Sequence, residues 1–177
     1  MLIVYDTETT GLVKHPDAPQ AKQPHLIEFG GIALSLKDGS VKATFKQLVN
    51  PGEYISPEIT RITGITNEEV HGQPLFPQAW SAISSFMRKG TVFLAHNEPF
   101  DHAIIDYELA RAGETFAWPQ TFCTISLYRG RWGRDMKLTE LYASIMGKEL
   151  DQKHRALSDV EALVEIVQAE KLWRVLC

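Results

Sequence analysis

The sequence predicts an α/β protein built on one mixed, five-stranded sheet that opens with a three-strand antiparallel meander and is covered by helices. Three features carry that expectation. The chain begins with an apolar run, Leu2-Ile3-Val4-Tyr5, of strand length. Asp38-Gly39 stands between two apolar-rich runs, a strong hairpin signal. From Thr91 onward, short apolar runs alternate with helical patterns. A meander followed by strand and helix alternation implies a sheet of mixed direction with helices packed on it.

The elements follow in order. After the opening strand, residues 13–25 read as a polar, proline-containing loop, and Leu26 to Leu36 as a second strand. Lys37-Asp38-Gly39-Ser40 turns the chain back, so Val41 to Val49 is expected to return antiparallel until Pro51 and Gly52 end it. Pro57 to Ile62 suits a short helix, Thr63 to Thr66 a turn, and Thr66 opens a capping box with Glu69. Pro77 begins a helix with Trp80, Ile83, Phe86 and Met87 at helical spacing and Gly90 as its stop. Thr91 to Ala95 is the fourth strand, His96 to Pro99 a turn, and Phe100 to Ala112 a helix stopped by Gly113. Thr121 to Ile125 is the fifth strand, followed by a loop rich in Arg and Gly and a helix over Leu138 to Met146. A last helix is expected from about Arg155 to Val175, with Leu157, Val160, Leu163, Val164, Val167 and Leu172 as its apolar stripe.

Composition bounds what such a fold can do. At 177 residues, with 44% hydrophobic and 23% charged residues, the chain fits one domain with a sizeable core and no long disordered tail. No stretch has the apolar length of a membrane span. The N-terminus runs straight into Asp6 without a basic leader, so an unprocessed cytoplasmic protein with no membrane partner is expected. Cys123 and Cys177 are the only cysteines, which argues for reduced thiols and against a disulfide framework. The net charge of −4 argues against strong nonspecific attraction to nucleic acid through the overall field. It leaves open a metal-assisted phosphodiester site, where a carboxylate cluster is itself the working part.

Such a cluster is legible. Strand side chains alternate, so Asp6 and Glu8 emerge on one face at the end of the first strand. Two carboxylates held that close repel, and a hard divalent ion such as Mg²⁺ neutralises them most simply. Taken alone, the pair is also a solvated strand end. Asp101 falls in the first turn of a helix that follows the fourth strand, and shares the same rim if strands one and four are parallel neighbours. By itself it also reads as a helix-start acid, as His96 and Asn97 read as turn and cap residues. His154 stands at a loop-to-helix junction with Asp159 one turn into the helix; a histidine suits proton transfer near neutral pH and the aspartate offers a third carboxylate. Tyr128 to Lys137 mixes four basic residues with two aromatics, which suits either a solvated loop or contact with a single strand.

The runs DTETTGL (Asp6 to Leu12), ITGIT (Ile62 to Thr66), HNEPFD (His96 to Asp101) and HRALSD (His154 to Asp159) together resemble the DnaQ-like DEDDh exonucleases, a family that includes the proofreading subunit of a bacterial replicative polymerase. The resemblance spans nearly the whole chain in the right order. It implies a ribonuclease H-like fold in a single exonuclease domain over residues 1–177. It also implies two Mg²⁺ or Mn²⁺ ions per site and removal of nucleoside monophosphates from the 3′ end of single-stranded DNA. By position, Asp6 would bridge both ions, Glu8 and Asp159 would hold the water-bearing one, Asp101 would complete the acidic set, and His154 would be the general base. The resemblance also places Thr9, Gly11, Leu12 and Ile65 around the terminal nucleotide, with Leu12 against its base, and lines the same pocket with Asn97 and Phe100. Thr63 stands where many members carry His, and Glu98-Pro99 makes the loop before Phe100 more acidic and stiffer than is common. Within this resemblance an exoribonuclease, or a noncatalytic module binding nucleic acid or a polymerase, is the alternative. A DNA polymerase or another replication or repair protein is the expected protein partner.

Overall fold

The computed structural model describes residues 1–15 and 18–176; Pro16 and Asp17, within the expected polar loop, and Cys177 lie outside the described residues. Five strands form one sheet: β1 (Leu2–Thr9), β2 (Leu26–Leu34), β3 (Val41–Leu48), β4 (Val92–Ala95) and β5 (Gln120–Cys123), in the order β3-β2-β1-β4-β5. β1, β2 and β3 make the antiparallel meander, while β4 runs parallel to β1 and β5 parallel to β4. The hairpin turn works as its sequence suggests. Gly39 takes φ +70°, and a Cβ there would lie 2.6 Å from the ring of Trp173, so only glycine both turns and clears.

The period-2 alternation of β1 decides what covers each face. Leu2 and Val4 point into a core shared with Ile32, Leu34 and Leu94 and with two later helices, α6 (Leu138–Met146) and α7 (Ala156–Ala169). Ile3 and Tyr5 point the other way, into an aromatic-rich core with Phe29, Phe93, α3 (Phe76–Met87) and α4 (Glu98–Ala112). The sheet is therefore a filling between two helical layers. A third, small cluster of Ile27, Ile55, Ile65 and Val70 seats α1 (Pro57–Thr63) and α2 (Asn67–His71) beside β2. The local signals for these two helices are met: Ser56 caps α1, and Thr66 with Glu69 forms the expected capping box on α2.

Three expectations are corrected. The Arg- and Gly-rich segment is not a loop from Ile125 onward: α5 (Thr124–Trp132) occupies it and shortens β5 to end at Cys123. Its periodicity is obscured because Tyr128 is its main core-facing side chain while Arg129, Arg131 and Gly130 face outward. Within the basic strip, Arg129 pairs with Asp135 (2.6 Å), Arg131 with Glu170 (3.1 Å) and Arg134 with Glu140 (3.0 Å), so these three arginines already have acidic partners. The last helix stops at Ala169 rather than Val175. Lys171 turns left-handed (φ +54°), and a single 3-10 turn, Leu172–Arg174, swings Trp173 back onto the core beneath Gly39. Burying that indole outweighs a further turn of helix along the surface. Cys123 is a free thiol, and no helix is long and apolar enough to cross a membrane among the described residues.

Candidate active site

The site begins where β1 runs out of apolar partners. Continuing its alternation, Asp6 and Glu8 face the α7 side, and Thr7 faces α4. Asp159, in the first turn of α7, closes on the same point: one carboxylate oxygen from each of Asp6, Glu8 and Asp159 lies within 4.8 Å of the others. Parallel pairing of β1 with β4 brings the start of α4 to this rim, as the position of Asp101 predicts. Asp101 arrives from the opposite layer. Its Oδ1 accepts from the backbone N–H of Thr7 (2.9 Å) and from the Thr7 hydroxyl (2.6 Å), so it grips the strand between the two site carboxylates without joining the group of three.

The electrostatics are those of carboxylates buried and crowded together. Burial is the largest influence on Asp6, pushing it well above the ordinary carboxylate range, and Asp101, Glu8 and Asp159 push it further. Glu8 is raised to about 9 by burial and then by Asp159, Glu28 and Asp101, with Arg155 opposing. Asp101 is raised to about 7 by burial, moderated by its bonds from Thr7. Asp159 is raised by burial, against a hydrogen bond from Gln152 Nε2 (2.6 Å) and the charge of His154. Hard carboxylate oxygens converging in a partly dehydrated pocket fit Mg²⁺ or Mn²⁺, whose charge would reverse every one of these shifts.

His154 lies on the loop before α7, exposed, with φ +47°, a left-handed value uncommon outside glycine, although His, Asn and Asp adopt it more readily than other side chains. Beside the acids a cleft of about 520 Å³ opens between the end of β1 and α1, lined by Thr7 through Leu12, Ser56, Glu58, Ile59, Ile62, Thr63 and Phe100. Leu12 (81% exposed) and Ile62 (39% exposed) stand as apolar jaws at its mouth. Thr9, Gly11, Leu12 and Phe100 thus line the cleft. Ile65 is instead fully buried behind it, and its N–H is taken by Thr63 Oγ1 (3.1 Å). Asn97 occupies the α4 N-cap position without a side-chain cap bond, exposed and outside the cleft lining.

Sequence reasoning pointed to the Ile62 to Thr66 end of the α1 wall but missed Ser56, Glu58 and Ile59, because only the fold brings α1 beside the β1 end. It also missed Glu28 and Gln152, which bond to the α7 segment. An acid inside the apolar run LIEFGG was the available signal for Glu28.

The profile of the exonuclease family matches residues 3–167. The chain is 31% identical over 176 residues to the 3'-5' exonuclease DinG of Bacillus subtilis, covering 96% of this chain and 18% of that protein. It is 29% identical over 171 residues to the DNA polymerase III subunit epsilon of Treponema pallidum, covering 92% of this chain and 72% of that one. The chain spans between 11% and 26% of the length of the first four curated relatives it matches. Among solved structures it resembles the nuclease domain of 3'hExo, a DEDDh family member bound to rAMP, with a TM-score of 0.79, 18% identity and coverage of 99% and 92% of the two chains. With its mixed five-stranded sheet flanked by helices in the ribonuclease H-like arrangement, this chain belongs to the exonuclease family.

Proposed function

We propose that the protein is a 3'-5' exonuclease that removes nucleoside monophosphates from single-stranded DNA ends, with two Mg²⁺ or Mn²⁺ ions as cofactor. The observation that carries this reading is the group of three carboxylates beside a cleft that Glu8 helps to line and whose mouth is apolar. The polarity is supported by relatives described as 3'-5' exonucleases and polymerase III subunits. The latter similarity also supports a DNA polymerase or repair complex as partner.

The chain's own residues divide the work. Leu12, Ile62 and Phe100 offer apolar surface to the terminal base in the cleft beside the β1 end. Asp6, Glu8 and Asp159 would hold the cation, which supplies Lewis-acid polarisation of the phosphodiester and lowers the pKa of a bound water. His154 takes the proton from the attacking water and releases it to solvent, which its exposed position allows. Asp101 fixes the Thr7 backbone, and so the spacing of the flanking Asp6 and Glu8.

The test is nucleotide release from 3′-labelled and 5′-labelled single-stranded DNA and RNA oligomers with Mg²⁺, Mn²⁺ or EDTA. Stepwise, metal-dependent shortening of the 5′-labelled strand is expected, with DNA preferred. Faster loss of RNA would reassign the substrate. Tight binding to ends without cleavage would replace the enzyme by a binding module.

A further inference from the structure

The charge buried deepest beneath this site belongs to none of the residues given a role above. Glu28 lies directly opposite Glu8 in the β1 and β2 register and has no exposed surface. Its carboxylate accepts from Arg155 Nε (3.2 Å) and Nη2 (2.7 Å) and from the Ala156 backbone N–H (2.9 Å), and Lys46 Nζ lies 3.3 Å away. The remaining guanidinium nitrogen of Arg155 reaches Glu69 of α2 at 3.5 Å. Two residues along β2, the chain approaches the start of α7 so closely that a Cβ on Gly30 would lie 2.5 Å from Leu157 N. His154 immediately precedes Arg155 and carries the left-handed φ. On its other side Gln152 donates to Asp159.

We infer that Glu28 is a positioning residue for His154, acting through Arg155 and the first turn of α7; the inference rests on the exonuclease reading. A fully buried carboxylate must be paired, so Glu28 gives the Arg155 fork one defined seat. That seat fixes the side chain of the residue after His154 and, through the Ala156 N–H, the backbone just beyond it. Gln152 fixes the loop before it. The His154 turn is thus strung between two anchors, which hold its left-handed φ from both ends. Without Glu28, Arg155 is left with Glu69 and water, and the His154 turn is free to relax toward ordinary backbone angles. The imidazole then spends less time where a proton can be taken. Asp159 is less exposed to this loss, because helix α7 buries its own apolar face against the sheet independently of Glu28.

The test is a double-mutant cycle on the full chain, measuring kcat and KM for a single-stranded oligomer at saturating Mg²⁺. Glu28→Gln is expected to lower kcat by about 10- to 100-fold, the range for a residue that orients a ligand or base, with KM within about twofold. In a His154→Ala background the same change is expected to lower kcat by less than about twofold, because the group it positions is gone. Arg155→Lys keeps the charge but loses the fork, and is run through the same cycle. If Glu28→Gln does not fold by circular dichroism, the Arg155→Lys cycle decides alone. Losses that multiply in the His154→Ala background, or a fall carried by KM, would overturn the inference. If the wild type is active and His154→Ala costs nothing, the inference falls while the nuclease reading stands. If the wild type degrades no strand, both fall.

Discussion

Replacing Glu8 by Gln should make the metal-free protein more stable. A carboxyl held at about 9 rather than the ordinary 4.5 is disfavoured in its ionised form by about 6 kcal/mol, at 1.36 kcal/mol per pH unit. The sign follows from the direction of the shift. The folded chain binds the Glu8 proton more tightly than the unfolded one, so stability is greatest below the ordinary value and falls as pH rises toward the folded one. Water at the cleft floor and relaxation of the neighbouring acids absorb much of this penalty, leaving an expected gain of about 2–3 kcal/mol for Glu8→Gln at pH 8 in EDTA. At pH 5.5 the gain should shrink below about 1 kcal/mol, because that pH lies only about one unit above the ordinary 4.5, so the unfolded chain gains little by releasing the proton that the folded one keeps. Saturating Mg²⁺ should reverse the order, since a ligand at about 1,000 times its dissociation constant adds about 4.1 kcal/mol to the form that binds it. Urea denaturation followed by circular dichroism at both pH values, with EDTA and with Mg²⁺, reads all four quantities. A Glu8→Gln protein no more stable than the wild type at pH 8 in EDTA would refute the reasoning, because the cluster would then be comfortable without a cation.

Asp6→Ala should abolish mononucleotide release while leaving the far-UV spectrum and urea midpoint near those of the wild type, since Asp6 removes repulsion as well as a ligand when it goes; more than a few percent of residual turnover would count against the metal assignment. Glu108 behaves oppositely to Glu8. Burial would raise it, but His25, the Leu26 N–H and Arg111 hold it below the ordinary 4.5, so its contribution is complete above that value and is lost as pH falls through the folded one. Glu108→Gln should therefore lower stability at pH 7 by about 1–3 kcal/mol and flatten the acid limb of a urea-midpoint profile. Gly30→Ala should cost about 1–3 kcal/mol by forcing α7 off the sheet, and should reduce kcat as well if the start of α7 sets the site; an unchanged urea midpoint would show that the contact yields.

How much of this was readable depended on whether a feature is local. Asp38-Gly39 and the Thr66/Glu69 capping box are local, and both form where the sequence puts them. The alternation of β1 is local too, and it correctly placed Asp6 and Glu8 on one face. α5 was hidden because its helical stripe is reduced to little more than Tyr128, and because glycine and two arginines suggest a loop until their acidic partners are located. The end of α7 was hidden for a different reason. Leu172 continues the apolar period, but Trp173 gains more by folding back over the hairpin than by extending the helix, and no window of sequence contains both the indole and Gly39.

The site shows the same division at finer scale. Each of its acids announces itself by chemistry, yet the structure gives them different standing: three converge, while Asp101 works from the far side of β1 by holding Thr7. Their companions were legible only in part. Glu28 could be suspected as a carboxylate in an apolar strand, but its partner Arg155 is 127 residues away, and the sequence does not say that the two meet. That pairing places a compensated charge directly beneath an uncompensated cluster. Glu28 has a cation of its own, so it stays ionised, held below the ordinary value despite burial, by Arg155, Lys46 and the Ala156 N–H. Glu8, opposite it, has no ion pair among the described residues and rises to about 9, with the charge of Arg155 only opposing the rise. Two glutamates facing each other across one strand pair thus divide into a structural anchor and a candidate cation ligand, and the difference lies in which of them Arg155 hydrogen-bonds directly.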